Sequence, residues 1–220
     1  MSATLRTAPD AEATAGRREQ RRRALHDVNR EHLLDAAEEV FGERGYADAT
    51  VKEIAERAEF SVGAVYGLVE GKEDLFLQTL RRRGDDMIAD ISTLVADDTL
   101  GGLDALGRLA DLQIGYFRDH PHFGRLWLRQ AGPSGWNVAA EALDGLADNV
   151  GVAMDLQAQL VRRGQAAGEI RPGDPEVLAR IFSAVVQAFQ ATDPACVGDP
   201  AGERLSLSEL HDLLEGAFAP

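Results

Sequence analysis

The fold of this chain is decided by residues 33–76, LLDAAEEVFGERGYADATVKEIAERAEFSVGAVYGLVEGKEDLF. Apolar residues recur there at intervals of three and four, which is the spacing of amphipathic helices. Gly45 stands where a glycine would end the first helix, expected over about residues 27–44. Thr50 and Glu53 form the S/T-x-x-E pattern of a capping box, which predicts that a short helix begins directly after Thr50.

A second short helix follows closely. Ser61 is a candidate N-cap, and the helical spacing continues to about Val69 before Glu70-Gly71 turns the chain. A long helix is then predicted from Lys72 to about residue 97. Two short helices joined by a turn of three or four residues form a helix-turn-helix. The spacing alone also allows an αα-corner that has no role in DNA binding.

The rest of the chain is helical in pattern as well, and no stretch shows the alternation of a β-strand. Asp174-Pro175-Glu176 is a strong helix start, because Asp suits the N-cap and Pro suits the first turn. We therefore predict an all-α protein, with a three-helix domain over 27–72 that contains the candidate helix-turn-helix and a second helical domain over 73–220. The further helices are expected over about 103–120, 121–128, 136–167, 174–191 and 207–217.

The composition is that of a globular protein. The chain has 220 residues, of which 45% are hydrophobic and 27% charged, and its formal net charge is −14. No apolar run approaches the roughly 18 residues that a membrane span needs, and no apolar core follows the N-terminal arginines as in a secretory signal. The single cysteine, Cys196, excludes an intramolecular disulfide framework and a cysteine-based zinc site. We expect a cytoplasmic protein that holds no metal and no cofactor and does not bind membranes.

Residues 1–26 carry almost no large apolar side chains. Because they cannot bury enough surface to order themselves, we expect a disordered arm. The arm is rich in arginine, which fits either a solvated tail or a segment that follows a DNA backbone or enters a minor groove. Arg21, Arg22 and Arg23 are the candidate DNA-binding residues of this arm.

From about residue 30 to residue 80, the sequence resembles the tetracycline-repressor (TetR) family of bacterial transcriptional regulators. The resemblance implies a homodimer that represses transcription by placing two recognition helices in the half-sites of a near-palindromic operator in double-stranded DNA. It also implies an unknown small-molecule effector, bound by the C-terminal domain. The residues that carry the resemblance are Phe41, Arg44-Gly45-Tyr46, Thr50, Ile54-Ala55, Ser61, Gly63, Val65-Tyr66 and Gly71-Lys72-Glu73-Asp74-Leu75.

By the same resemblance, particular side chains of the two short helices and the start of the long one would contact DNA. Hydroxyl and ammonium groups suit phosphate oxygens, and small residues suit close approach and thymine methyl groups in the major groove. The implied phosphate contacts are Thr50, Ser61, Tyr66 and Lys72, and the implied groove-facing residues are Val62, Gly63, Ala64 and Gly67.

The sequence departs from the family pattern in the recognition helix and in the turn before it. No Arg, Lys, Asn or Gln lies between Ser61 and Val69, so we expect direct base readout to be weak and DNA shape to matter more. Glu59 stands where the family usually has glycine, and a left-handed conformation there would cost about 1–2 kcal/mol. Gly63 and Gly67 lower the helix propensity further, so we expect a recognition helix of low local stability that becomes ordered on DNA.

The C-terminal half resembles the effector-binding and dimerisation domain of the family in its length and helical plan. The predicted helix from residue 174 is apolar on nearly every face, which requires burial on both sides. A second subunit would supply the missing partner in a four-helix bundle built from residues 136–167 and 174–191 of both chains. Burial within a single subunit is the alternative.

A ligand pocket is harder to place than the DNA-binding residues. Aromatic side chains at helical spacing fit a packed core as well as the wall of a pocket, and pockets are mostly apolar with a few polar groups. His122 and Arg129 are two polar candidates. The candidate ligand-binding residues are Gln113, Phe117, Phe123, Trp127, Trp136, Gln157 and Phe182.

Two other classes of function compete with a DNA-binding regulator. An enzyme is disfavoured, because the sequence has no HExxH pair, no phosphate-binding Walker loop and no G-x-S-x-G or G-x-G-x-x-G motif. The other class is a helical small-molecule-binding or interaction protein that has lost sequence-specific DNA binding. The neutral recognition helix and Glu59 keep that alternative open.

Overall fold

A computed structural model describes residues 9–130, 144–199 and 201–220 of the chain. These ranges are helical and hold no β-strand, which confirms the all-α prediction. No helix within them is both long enough and apolar enough to cross a membrane. The helices are α1 (Pro9–Asp48), α2 (Val51–Arg57), α3 (Val62–Val65), α4 (Lys72–Val95), α5 (Gly102–Asp119), α6 (Pro121–Gln130), α7 (Asp144–Ala167), α8 (Pro175–Thr192), a 3-10 helix (Pro194–Val197) and α9 (Leu207–Phe218).

The two short helices begin where the sequence predicts. Thr50 Oγ1 accepts a hydrogen bond from the backbone N–H of Glu53 at 3.2 Å, and the Thr50 N–H donates to Glu53 Oε2 at 3.0 Å. Ser61 Oγ accepts from the backbone N–H of Ala64 at 3.1 Å. These caps satisfy amide groups that the first turn of a helix leaves without partners. The predicted helix-turn-helix is therefore confirmed as α2, a turn and α3.

The second of these helices is shorter than predicted. The sequence pattern extends it to about Val69, whereas α3 ends at Val65. Beyond that residue the backbone N–H groups of Gly67 and Leu68 bond three residues back, at 3.1 and 2.9 Å, in turns tighter than an α-helix. Gly67 stands at this point, and glycine has a low helix propensity, which agrees with the early end of α3.

The turn before α3 adopts the strained conformation expected at Glu59. Its φ of 58° is the only positive φ of a non-glycine residue in the described ranges. The N–H of Phe60 donates to the Ala55 carbonyl at 2.8 Å, and the N–H of Glu59 donates to the Glu56 carbonyl at 3.2 Å. A left-handed residue that closes a helix in this way is usually glycine, and a side chain there costs about 1–2 kcal/mol.

Residues 9–26 correct the prediction of a disordered arm, because they form the first part of α1. Ala, Arg, Glu and Gln are strong helix formers, and Glu19 pairs with Arg22 at 2.7 Å and with Arg23 at 3.0 Å along the helix. The composition argument concerned burial, and the side chains of residues 20–28 are indeed exposed. A helix can form without burial when it continues a helix that is already packed.

The N-terminal core lies where α1, α2, α3 and α4 meet. Phe41 and Phe76 pack edge to face with ring centroids 5.1 Å apart, and Tyr46 packs against Phe76 at 4.7 Å. Ile54 of α2 and Val65 of α3 are fully buried in the same cluster. Burial of each such side chain stabilises the fold by about 1.5–3 kcal/mol. These contacts hold the two short helices against α1 and α4.

The C-terminal region is arranged around α5, which contacts α4, α6, α7, α8 and α9. Leu106, Leu109 and Ile114 of α5 are buried, and so are Leu160 and Val161 of α7. The predicted helix over 136–167 is described from Asp144 onwards. Its first predicted residues lie outside the described part of the chain.

Helix α8 starts as predicted, but its burial differs from the prediction. Asp174 Oδ1 accepts from the N–H groups of Glu176 and Val177 at 2.9 and 3.1 Å, which caps the helix. Within one chain only one face of α8 is buried, whereas Val177 and Ile181 on the other face are each 45% exposed. The expectation that both faces are buried therefore does not hold inside a single subunit.

Candidate nucleic-acid interface and cavity

The residues expected to contact DNA lie on one exposed surface formed by α2, α3 and the following turn. Val62 is 40% exposed and Tyr66 is 56% exposed, although both are large apolar or aromatic side chains. Val65, between them, is fully buried and anchors the helix to the core. The other exposed candidates on this surface are Thr50, Ser61, Gly63, Ala64 and Gly67.

Lys72 stands at the first residue of α4, beside this surface. Its Nζ donates to the backbone carbonyl of Ala47 at 3.0 Å and lies 4.7 Å from the centroid of the Tyr46 ring. These two contacts fix the ammonium group near the end of α1. Its expected contact with phosphate is a prediction, and any phosphate would have to approach a side chain that is already held in place.

The arginines of the N-terminal segment are exposed and sit on a helix. Arg21, Arg22 and Arg23 project from α1, well before the residues that pack in the core. Arg22 and Arg23 share the carboxylate of Glu19. Consecutive residues of a helix point in different directions, so the three guanidinium groups cannot all follow one phosphate row.

A cavity of about 320 Å³ lies among α4, α5, α6, α7 and α8. This volume falls at the lower end of the range for small-molecule sites. Most of its wall is apolar, and Met87, Ile88 and Ile91 of α4 contribute one side. Five of the residues predicted to bind ligand line it, namely Gln113, Phe117, Phe123, Trp127 and Gln157.

Three other ligand candidates, Phe182, His122 and Arg129, do not line the cavity. Phe182 is fully buried and packs against Phe218 with ring centroids 6.2 Å apart, so it belongs to the core and does not line the cavity. His122 lies 2.7 Å from Arg125, measured from its Nδ1 to the guanidinium nitrogen Nη2, near the end of α1. Arg129 lies beside Gly45 of α1. Trp136 falls outside the described residues.

The polar part of the cavity wall comes partly from residues that the sequence reasoning missed. Ser183 and Gln190 of α8 line the cavity, as do Arg180 and Gln187. A signal for them was present, because polar residues recur along the otherwise apolar α8 at intervals of three or four. That spacing places them on one face of the helix.

Three glutamines form a buried group on this wall. Gln157 is 2% exposed, Gln190 is 5% exposed and Gln113 is 9% exposed. The hydroxyl of Ser183 donates to Gln157 Oε1 at 2.5 Å, and Gln190 Nε2 donates to the backbone carbonyl of Gln113 at 3.4 Å. The glutamines come from α7, α8 and α5, so the group exists only because these helices pack together.

Helix α4 joins the cavity to the helix-turn-helix. Its first half packs in the N-terminal core through Leu75, Phe76 and Leu80, and its second half lines the cavity from Gly84 to Ile91. A displacement of the second half by a ligand would therefore reach the short helices through one continuous element.

The middle of α4 is tied to α1 by a partly buried ion network. Arg83 Nε donates to Glu38 Oε2 at 2.6 Å, and Arg82 Nη2 lies 3.2 Å from the same oxygen. The Tyr116 hydroxyl of α5 donates to the Arg83 carbonyl at 3.1 Å. Burial raises the pKa of Tyr116 to about 12, so the hydroxyl keeps its proton at neutral pH. Ion pairs and a hydrogen bond thus connect α1, α4 and α5 near the middle of α4.

Helix α6 makes a second joint with α1. Arg125 Nε donates to the Gly42 carbonyl at 3.2 Å, and Arg125 Nη1 donates to the Val197 carbonyl at 2.7 Å. The two helix backbones approach so closely that a β-carbon at residue 42 would lie 2.6 Å from the backbone oxygen of His122. Phe123 and Trp127 of α6 line the cavity, so this joint is a second connection between the cavity wall and α1, which packs against the helix-turn-helix.

Comparison with known proteins gives one family match and two curated relatives. Residues 33–79 match the family model of bacterial regulatory proteins, tetR family. The transcriptional activator FasR of Mycolicibacterium smegmatis is 38% identical over 77 residues, which are 35% of this chain and 35% of FasR. The transcriptional repressor KstR2 of Rhodococcus jostii is 32% identical over 106 residues, 48% of this chain and 46% of KstR2. The matched stretches thus span less than half the length of these relatives.

Solved structures extend the likeness to the whole fold. The transcriptional regulator FadR from Bacillus subtilis, in complex with stearoyl-CoA, superposes with a TM-score of 0.69 over 84% of this chain and 95% of that one. Its sequence identity of 16% supports a shared fold only. The family match covers the helix-turn-helix, and the fold match covers the helices around the cavity. Residues 33–79 therefore match the tetR family of bacterial regulatory proteins, and the helices around the cavity share the fold of the superposed structure.

Proposed function

We propose that the chain is a ligand-responsive transcriptional repressor that binds a near-palindromic operator in double-stranded DNA as a homodimer. The observation that carries this proposal is the position of α4, which lines the cavity with one half and supports the helix-turn-helix with the other. A ligand in the cavity and a half-site on DNA would then act on the same helix. We place its action in the cytoplasm, where such an operator is found.

The exposed surface of α3 supports DNA binding. Val62 and Tyr66 are large side chains held in solvent next to the buried Val65, an arrangement that suits contact with base edges and phosphate. Ser61 accepts a bond from the Ala64 amide through its oxygen, and its hydroxyl can still donate to a phosphate. The Thr50 hydroxyl instead donates to Glu53 Oε2 at 2.9 Å, so Ser61 is the better phosphate contact of the two.

The exposed face of α8 supports the homodimer. Val177 and Ile181 are each 45% exposed, and Ala184 and Ala188 continue the same face. On the adjacent α7, Val152 is 45% exposed as well. A second copy that packs against this face would bury apolar side chains that a single chain leaves in water. The proposed bundle therefore uses α7 and α8 of both subunits.

The proposed control is allosteric. A ligand against Met87, Ile88 and Ile91 would favour a different position of α4. The two recognition helices of the dimer would then no longer fit half-sites about 34–36 Å apart. The ligand must bind the DNA-free state more tightly, and such coupling is typically about 1–3 kcal/mol.

The test is a titration of the protein with duplex DNA from immediately upstream of its own gene, against a scrambled duplex at near-physiological salt. We expect specific binding with two subunits per site. Val62→Glu places a carboxylate on the surface of α3 and should weaken specific binding by at least about tenfold through repulsion of phosphates. Leu213→Glu, on the exposed face of α9 at 64% exposure, is the matched control and should bind as the wild type does.

A second candidate function is a helical small-molecule-binding protein without sequence-specific DNA binding. It is favoured by the four-residue length of α3 and by the strain at Glu59. Equal, weak binding of both duplexes, unaffected by Val62→Glu, would support it against the regulator. Binding that falls linearly with the logarithm of salt concentration and differs between the duplexes would reject it.

A further inference from the structure

The interior of the cavity carries no charge in the part of the chain that is described. Its lining there includes seven polar residues, and Arg180 is the one ionisable side chain among them. Arg180 is exposed, so its charge belongs to the mouth of the cavity rather than to its depth. A carboxylate or ammonium group placed deep inside would lose its hydration without gaining a counter-ion, which is strongly unfavourable.

The buried glutamines nevertheless leave hydrogen-bonding capacity unused. Ser183 donates to Gln157 Oε1, which orients the amide and leaves Gln157 Nε2 as a donor without a partner among the described residues. The side-chain amide of Gln113 makes no hydrogen bond in those residues either, although the residue is only 9% exposed. Neither amide belongs to the fully enclosed side-chain atoms that lack a partner, so both are accessible from the space of the cavity that they line.

The two amides line the same cavity from different helices, Gln113 from α5 and Gln157 from α7. A ligand that offers an acceptor between them would satisfy both at once. The remaining wall is formed by side chains such as Ile91, Phe123 and Met154, which favour an apolar body.

We propose that the cavity binds an apolar chain or ring system through an uncharged carbonyl oxygen, which accepts hydrogen bonds from the amides of Gln113 and Gln157. This inference rests on the proposed function only in taking the cavity as the effector site. The carbonyl belongs either to a free ketone or ester, or to an acyl thioester whose large anionic headgroup stays outside the mouth. In the second case Arg180 is placed to meet the headgroup.

The experiment titrates the full-length protein, without DNA, with 2-decanone, decane, decanoic acid and decanoyl-CoA, and follows binding by calorimetry. We expect a carbonyl probe, 2-decanone or decanoyl-CoA, to bind about tenfold more tightly than decane or decanoate, as two neutral hydrogen bonds allow. Arg180→Ala distinguishes the two sources of the carbonyl. This substitution should weaken the binding of decanoyl-CoA and leave the affinity for 2-decanone unchanged.

Matched variants test the two glutamines. Gln113→Leu and Gln157→Leu keep the approximate side-chain size and remove the amide. Each should lower the affinity for the carbonyl probe by about three- to tenfold and leave the affinity for decane unchanged. Gln20→Leu makes the same change on the exposed part of α1, away from the cavity, and should have no effect on the affinity for either probe. The ratio of the affinities for the carbonyl probe and for decane is measured on the wild type, so it tests the inference even if a variant fails to fold.

Three outcomes would overturn the inference. They are tighter binding of decanoate than of either carbonyl probe, equal binding of decane and the carbonyl probes, and no binding of any probe. None of these measurements involves DNA, so a negative result for the ligand inference does not affect the outcome of the duplex titration. Conversely, a protein that binds the carbonyl probe but shows no preference between duplexes would retain the ligand site and lose the proposed regulatory function.

Discussion

The helix-turn-helix and the cavity place their functional side chains in opposite surroundings. On the helix-turn-helix, Val62 and Tyr66 stand in solvent on helices that local caps begin and a buried Val65 anchors. In the cavity, Gln113 and Gln157 are more than nine-tenths enclosed, and each needs the packing of several helices to be where it is. Under the proposed function, the first surface would contact a large charged partner, and the second would enclose a small molecule that loses its hydration.

On the helix-turn-helix surface, a substitution can change function without changing stability. In the cavity, the candidate residues are packed between helices, so a substitution affects both. An exposed residue of α3 can change without loss of core contacts, so its substitution should act on DNA binding alone. A change at the two joints between the regions, where α1 meets α4 and α6, acts on the whole fold.

The largest effect is expected at the joint between α1 and α4. Glu38→Ala removes the carboxylate that lies between Arg82 and Arg83, with its side chain only 7% exposed. Loss of one partner of a buried ion network leaves charge uncompensated and should lower the free energy of unfolding by about 3 kcal/mol. Urea denaturation measures it. Glu19→Ala, which breaks exposed pairs on the same helix, should cost less than about 1 kcal/mol, and an equal cost for both would contradict the assignment.

A smaller effect is expected at the joint between α1 and α6. Gly42→Ala places a methyl group 2.6 Å from the backbone oxygen of His122, and the helices must separate to accept it. We expect a loss of about 2 kcal/mol, as for other overpacked sites. Gly107→Ala in α5 meets no atom within 4 Å and should instead stabilise the protein by up to about 1 kcal/mol. Thermal unfolding of the two variants should shift in opposite directions.

Within the helix-turn-helix, Glu59→Gly should stabilise the protein by about 1 kcal/mol, because it removes the cost of a side chain at φ 58°. Some of the gain is offset by the greater freedom of glycine in the unfolded chain. Glu56→Gly, three residues earlier inside α2, should destabilise by a similar amount. A loss of stability in both variants would mean that the turn is not strained.

The smallest effect is a pH dependence at the end of α5. Burial, reinforced by the nearby positive charge of Arg83, lowers the pKa of His120, so the folded state favours its neutral form. Its stabilising contribution is complete above the unfolded-state pKa of about 6.5 and is lost as the pH falls through the lower folded-state value. The wild type should therefore lose more thermal stability than His120→Gln between pH 7 and pH 5. His26→Gln, on the exposed part of α1, should follow the wild type.

The same contrast between local and long-range causes explains how far the sequence could be interpreted. Thr50, Ser61 and Gly45 act on their own few residues, and each was placed correctly from spacing alone. The left-handed turn at Glu59 was anticipated for the same reason. The glutamine group of the cavity depends on how α5, α7 and α8 cross, and no local pattern contains that information. Phe182 was assigned to the pocket for this reason, since its helix was known and its direction was not.

The N-terminal segment illustrates a different gap. Its lack of apolar residues indicated correctly that it would not be buried, but burial is only one way for a helix to persist. A segment can also be helical because it continues a helix that is already packed, and residues 9–26 continue α1 in this way. Similarly, the apolar pattern of α8 indicated burial on both sides, whereas one of its faces is exposed in the single chain.

The backbone of α1 is helical from Pro9 up to Gly45, where φ 79° and ψ 168° leave the helical conformation. The arginine segment is therefore a rigid extension of the packed part of α1 and not a flexible chain. Arg21 lies about 18 Å along the helix from Leu33, at 1.5 Å per residue, and keeps a fixed bearing relative to the recognition surface. Insertion of one alanine after His26 would turn the whole segment by about 100° around the helix axis, whereas four insertions would nearly restore its phase. Any part the arginines play in DNA affinity should therefore oscillate with the number of inserted residues, as it would not along a flexible chain.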